Sequence, residues 1–465
     1  MKWAFNLGNV TVARSQPTIV AGRLFIGTQS GAVYALDIGT GCTRWRFQAR
    51  TAIRSGVAFG DVKKTAAIFF GDARANVYAV NAETGGLIWM VRPYEPPEAV
   101  VTAAPRYYKG VVYQPFASYE ELLAAGPNYH CCTFRGNVVA LDAGTGRTLW
   151  QTFTIPDTPR SNASRGSGPS GAAVWSSPTI DEKLGALYVA TGNNYSDPPT
   201  NTSDAILAMD LKTGKLLWSK QLRMGDVFND GCSTPQRTNC PAFRGPDYDF
   251  GQPPILVNLG RGKRALEIAQ KSGMAYAVDP DTKGTLLWQS RVGEGGPFGG
   301  SQWGSASDGK NLYVAISGLT VKPVRDAKSP RGFKLALDPQ KGGGLAALDL
   351  RTGKVIWSAK PVPCAPSRTD CSPAQSAAVT VIPGVVFSGS VDGHLRAYSS
   401  ATGKVVWDTD TGKEFDTVNA GRARGGSIDA GGPAVVDGMV FVNSGYGQWG
   451  GMPGNVLLAF SVNGR

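Results

Sequence analysis

Ala35-Leu36-Asp37-Ile38-Gly39-Thr40-Gly41-Cys42-Thr43-Arg44-Trp45 is the stretch on which the fold turns. A short apolar run ends in a turn-forming Asp, a Thr-Gly pair follows, and a Trp stands four residues after the Gly. The phrase returns as Thr84-Gly85 with Trp89, Thr145-Gly146 with Trp150, and Thr213-Gly214 with Trp218. It returns again, stretched by one residue, before Trp288, then as Thr352-Gly353 with Trp357 and Thr402-Gly403 with Trp407. Self-similarity of this period marks a repeat architecture. Each unit is a few strands wide and buries its faces only by stacking on its neighbours around an axis.

An eighth copy is split between the termini. The apolar run 454–460 lacks a Trp-bearing strand, and Met1-Lys2-Trp3-Ala4-Phe5 supplies one. Pairing the ends closes the set and leaves no sheet edge open. The expectation is therefore an all-β, eight-bladed β-propeller occupying 1–465 as a single domain. Eight of the 11 Trp residues become repeat Trps packed between blades, and Trp175, Trp303 and Trp449 are left over.

Composition agrees. The 60 Gly and 30 Pro suit a chain of strands and turns. No apolar run reaches membrane-span length. The net charge of +12 is spread along the chain, with no basic run interleaved with aromatics. That weighs against nucleic-acid binding and leaves an anionic substrate or an acidic protein partner open. No signal peptide precedes the first blade, so either a leader has been removed or the protein is cytosolic.

The cysteines favour the first of these and a periplasmic location. Cys232 and Cys240, and Cys364 and Cys371, form pairs eight and seven apart in polar loops, where a disulfide would clip each excursion. Cys131 and Cys132 are adjacent, and Cys42 is expected to be free and buried. Seven free thiols are the alternative, at the cost of reactive loop cysteines. With two His and no matched C-x-x-C pairs, zinc is disfavoured.

Spacing between repeat Trps grows in the middle of the chain, through insertions at 93–99, 118–128, 159–171, 197–203, 226–248, 293–301 and 323–341. These are expected to be irregular loops that wall a site over one face, since insertions in such folds collect on the binding face. Glu120, Asn193 and Asp249 each lie where a strand meets such a loop, in successive blades. Two carboxylates and an amide oxygen make a hard-oxygen set suited to Ca²⁺, although each taken singly is more often a turn residue.

Six longer segments add specificity: 118–121 (SYEE), 131–136 (CCTFRG), 171–178 (GAAVWSSP), 191–198 (TGNNYSDP), 245–251 (GPDYDFG) and 270–273 (QKSG). In this order and spacing the chain resembles the catalytic propeller of the quinoprotein alcohol dehydrogenases, their polyvinyl-alcohol-oxidising branch in particular. The resemblance implies bound pyrroloquinoline quinone (PQQ) and Ca²⁺. It implies Glu120, Asn193 and Asp249 as metal ligands, with Asp249 also the base that takes the alcohol proton. Trp175 matches the Trp on which the quinone stacks. Arg54, Thr102 and Lys271 match polar contacts to the cofactor, and Cys131-Cys132 matches the cysteine pair that covers it in many members. Here that pair falls one blade later than in those members.

The implied reaction is hydride transfer from an alcohol to the quinone, with secondary and polymeric alcohols as the family's substrates. The 226–248 and 293–303 segments are expected to line the substrate side. The cytochrome module with its C-x-x-C-H haem site is missing from these 465 residues, which implies an external acceptor such as a soluble cytochrome c. The competing reading is a non-catalytic propeller scaffold of the outer-membrane assembly type. Such a scaffold shares the Trp repeats and has no use for Trp175, Asn193, Asp249, Lys271 and a vicinal cysteine pair together.

Overall fold

A computed structural model describes residues 1–465 except 163–165, 328–332, 369, 420 and 465. Among the described residues eight sheets of four or five strands follow one another along the chain. These are the eight blades that the repeat predicts. The chain falls into two compact units, one of Met1–Val57, Ser272–Ala275 and Trp288–Arg465, the other of Ala58–Lys271 and Tyr276–Leu287.

In the first unit, Trp3–Asn6 pairs antiparallel with Val456–Ser461, with Trp3 opposite Ala459 and Asn6 opposite Val456. The terminal strand thus completes the sheet that continues through Met439–Ser444 to Ala434–Val436. Trp3, Phe5, Leu7, Leu457 and Phe441 bury together beneath it.

The repeated phrase has a mechanical explanation. Asp37 Oδ1 accepts from the backbone of Gly39 and Thr40 and from the Thr40 hydroxyl, which folds the turn. Asp210 and Asp349 repeat these bonds within their own turns. The Gly after each Thr has φ near +70°, for example +72° at Gly41 and +73° at Gly146. It also lies flat against the Trp of the preceding repeat. A Cβ on Gly146 would stand 2.9 Å from Trp89, and one on Gly214 2.5 Å from Trp150. Each indole then donates into the same turn region: Trp3 to Ile38 O, Trp89 to Ala143 O, Trp150 to Leu211 O, Trp288 to Leu350 O and Trp357 to Ser400 O. The Trp and the Thr-Gly four residues before it serve different contacts: each Trp docks on the Gly of the next repeat.

The insertions are more ordered than expected. Within 159–171, Arg160–Asn162 pairs with Gly166–Gly168, and within 323–341 most of a second hairpin runs between Val321–Arg325 and Phe333–Leu337. Backbone groups in long excursions need partners, and a hairpin supplies them locally. Parts of both insertions, 163–165 and 328–332, lie outside the described residues. The 226–248 insertion carries a 3-10 turn, Asp230–Ser233, capped by the Asn229 side chain.

All three disulfides are present: Cys131–Cys132, Cys232–Cys240 and Cys364–Cys371. Cys42 is free, as expected, but exposed rather than buried. It directly follows the docking Gly41, and its amide is held by the Thr40 hydroxyl, so it belongs to the outer turn rather than to the strand interior.

Candidate active site

The second unit gathers the polar residues of four segments. In 245–251, the Asp226 carboxylate accepts from the amides of Asp247 (3.2 Å) and Tyr248 (2.8 Å), which folds the turn and turns both of its Asp side chains inward. The Lys271 ammonium then donates to Asp247 Oδ1 at 2.9 Å and to Asp249 Oδ2 at 2.7 Å. All three are buried, with Asp249 4 % exposed. Burial disfavours the Lys271 charge, but the carboxylates of Asp247, Asp249 and Glu121 outweigh it, and the ammonium stays protonated well beyond its ordinary range. Burial, reinforced by Asp249, pushes the Asp247 carboxyl well up despite the opposing Lys271.

Asn193 joins this cluster through its backbone, whose N–H donates to Asp249 Oδ1 at 2.7 Å. Its side-chain Nδ2 donates to Asn194 O and Phe228 O. Both amide hydrogens are therefore engaged by backbone, and Oδ1 is the atom left to present. Gly192 makes the approach possible: a Cβ there would meet Asp249 Oδ1 at 2.4 Å and Trp175 Nε1 at 3.3 Å. Trp175 is half-buried, with the Lys271 ammonium 5.4 Å from its ring centroid. The Thr102 hydroxyl donates to Trp175 O, at 3.4 Å. Asn193, Asp249, Lys271, Trp175 and Thr102 thus come together.

Glu120 behaves differently from expectation. It opens the one short helix among the described residues, Glu120–Leu123, and its carboxylate is fully engaged away from Asp249. Oε1 accepts from Tyr129 OH, Thr133 N and the Thr133 hydroxyl, and Oε2 from Phe134 N. It anchors the segment that carries Cys131-Cys132. That pair is buried in the core cluster of Phe134 and Tyr195, with Trp175 packed at the cluster's margin. Asn229 Nδ2 contacts Cys131 Sγ at 3.6 Å.

Arg54 lies in the first unit, its guanidinium 5.0 Å from the centroid of Trp303. The Trp303 indole donates to Asp429, a buried carboxylate raised by burial and steadied by Ser376, the Ala430 amide and Trp303. Trp449 packs on Phe298, with ring centroids 4.9 Å apart. All three leftover tryptophans therefore stand in polar or loop surroundings rather than at docking positions. Sequence reasoning missed Asp247, Glu121, Asp226 and Asp429. Only the first carried a signal: an acidic residue at i and i+2 in an Asp-Tyr-Asp turn. Among the described residues no three His, Cys, Asp or Glu side chains already converge as a metal cage. The Lys271 ammonium bridges Asp247 and Asp249 instead.

Residues 3–241 match a family model described as the β-propeller domain of glucose/ethanol/alcohol dehydrogenases that use PQQ, and 341–465 match one for the outer membrane protein assembly factor BamB. Along its whole length the chain is 40 % identical to a polyvinylalcohol dehydrogenase of Pseudomonas sp, covering 73 % of that protein. It is 39 % identical to one of Sphingopyxis sp. (strain 113P3), covering 72 %. The chain belongs to the PQQ-dependent alcohol dehydrogenases. Its fold matches the crystal structure of the quinohemoprotein alcohol dehydrogenase from Comamonas testosteroni, at TM-score 0.73 and 21 % identity, over 100 % of this chain and 76 % of that one. Membership makes it a quinoprotein oxidoreductase that oxidises alcohols, and removes the scaffold reading. The BamB match covers only the C-terminal repeats, which that family shares as architecture.

Proposed function

We propose that this quinoprotein oxidises secondary alcohols, polymeric ones such as polyvinyl alcohol included, in the periplasm. In this reading Ca²⁺ sits beside the quinone and an external cytochrome c-type protein collects the electrons. The observation that carries the reading is the cluster of Asp249, Asp247 and Lys271 beneath Trp175 in a chain so similar to two polyvinylalcohol dehydrogenases. The residues fit the implied groups. Trp175 offers a flat aromatic face, Lys271 a permanent positive charge, and Asn193 an amide oxygen whose nitrogen is already held. When bound, the quinone supplies a two-electron acceptor for hydride from the carbinol carbon, and Ca²⁺ the Lewis acid beside it.

The chain supplies the rest. Asp249 is the base: its Oδ1 is oriented by the Asn193 amide, and Lys271 at Oδ2 keeps the group aligned while it takes the hydroxyl proton. The alcohol loses that proton and a hydride and leaves as a ketone. Lys271, always charged, steadies negative charge that builds near Trp175. Thr102 fixes the Trp175 backbone, and Cys131-Cys132 stiffens the wall behind it. Arg54, held on Trp303, is a cation for a cofactor carboxylate. The three disulfides support an oxidising compartment. No described helix is long and apolar enough to cross a membrane.

The test is reconstitution. Adding PQQ with Ca²⁺ should shift the quinone absorbance stoichiometrically and confer dye reduction on secondary alcohols and polyvinyl alcohol. Turnover restricted to short primary alcohols would overturn the substrate assignment, and full activity in chelator would overturn the metal.

A further inference from the structure

The geometry points to Glu121, and not its neighbour Glu120, as the carboxylate that the 120–123 helix contributes to the cation site proposed above. The inference rests on that metal reading and names the chain's own third acidic group.

Successive residues on a helix point about 100° apart, so two adjacent glutamates do not face one target. Glu120 is fully buried and faces 129–134, where the Tyr129 hydroxyl, the Thr133 and Phe134 amides and the Thr133 hydroxyl occupy both of its oxygens. A carboxylate so bonded is a fastener. Glu121 turns the other way, into the field of Asp247, Asp249, Lys271 and Asp230. The helix that carries it is fixed at its far end as well. Asn239 Nδ2 donates to Ala124 O, Gly126 O and Tyr129 O, and the Cys232–Cys240 bridge clips the loop bearing Asn239. Held at both ends, Glu121 has little freedom to leave.

Charge points to the same occupant. Asp247, Asp249 and Glu121 set three carboxylates against one ammonium, Lys271, in a buried space. Fully ionised, the group carries two surplus negative charges, which a divalent cation neutralises. Buried like charges are tolerated only when so compensated. With the Asn193 amide oxygen the set is all oxygen, the donor type of Ca²⁺ rather than of zinc.

The test uses the full chain without quinone. Ca²⁺ is titrated by calorimetry into wild type, Glu121→Gln, Glu121→Asp and Glu120→Gln, and each is melted with and without Ca²⁺. Glu121→Gln should keep the Ca²⁺-free melting temperature and bind Ca²⁺ about tenfold or more weakly. Glu121→Asp, with the charge kept and the reach shortened, should weaken binding by less. Glu120→Gln should instead lower the Ca²⁺-free melting temperature. Wild-type affinity in Glu121→Gln overturns the assignment and leaves the metal reading standing. A wild-type chain that takes up no Ca²⁺ overturns the metal reading and this inference together.

Discussion

Asp249 shows how much of this site depends on single atoms. One oxygen is held by the Asn193 amide and the other by the Lys271 ammonium, so the carboxylate is aimed before substrate arrives. Asp249→Asn is nearly isosteric and should leave the fold and quinone stacking intact. It should cut turnover by about 10²–10⁴-fold, the usual worth of a general base. Dye-coupled oxidation at saturating PQQ and Ca²⁺ measures this, and near-normal turnover would remove Asp249 from the base role. Trp175→Ala should act on affinity first: absorbance titration should show weakened quinone binding before any loss of kcat at saturation. The positions of Asn193, Asp249 and Lys271 were readable because they sit inside long distinctive segments. Which of Glu120 and Glu121 faces the site was not, since two adjacent glutamates are chemically alike and only the hydrogen bonds of Tyr129, Thr133 and Phe134 separate them.

Among the blades, the repeated unit is a dock rather than a strand. Trp89 buries its face against Gly146 and donates to Ala143 O at 2.8 Å. Trp89→Ala removes both contacts and should cost about 3–5 kcal/mol in denaturant melts; a loss below about 1 kcal/mol, the scale of an ordinary point mutation, would count against docking as the source of cohesion. Gly146→Ala should destabilise for two reasons, the added methyl 2.9 Å from the indole and a backbone at φ +73°. Between the fourth and fifth blades an ion-pair bridge does similar work: Arg264 binds Asp181 at 2.8 Å and Asp281 at 2.7 Å. Hydrogen bonding from Arg264 holds the Asp281 carboxyl down at about 2, against 3.8 for a free side chain. A depressed folded-state value means the bridge stabilises above the unfolded value and fades as pH falls through the folded one. The difference in melting temperature between wild type and Asp281→Asn should therefore be full at pH 6 and shrink steadily below about pH 4. A gap unchanged at pH 3 would argue that Asp281 acts by packing alone.

For the molecule as a whole, the termini meet within one sheet, with Trp3–Asn6 lying along Val456–Ser461. Removing residues 1–6 should expose that strand's edge and the apolar cluster around Phe5 and Leu457, with a lower melting temperature and concentration-dependent association by light scattering. Blade number, terminal pairing and the three cysteine pairs were all determined by the amino-acid sequence alone. Each depends on a pattern that recurs or matches at a fixed spacing, and the local turn chemistry of Asp, Thr and Gly dictates that pattern wherever it occurs. Cys42 escaped because its exposure follows from the direction of one residue after a turn, which period cannot reveal. The convergence of Asp226, Asp247, Asp249 and Lys271, the docking of Arg54 on Trp303, and the opposite facing of Glu120 and Glu121 were decided only by tertiary structure. The physical reason is that burial and hydrogen-bond partners drawn from distant segments, not residue identity, set where a carboxylate points and whether it holds its charge.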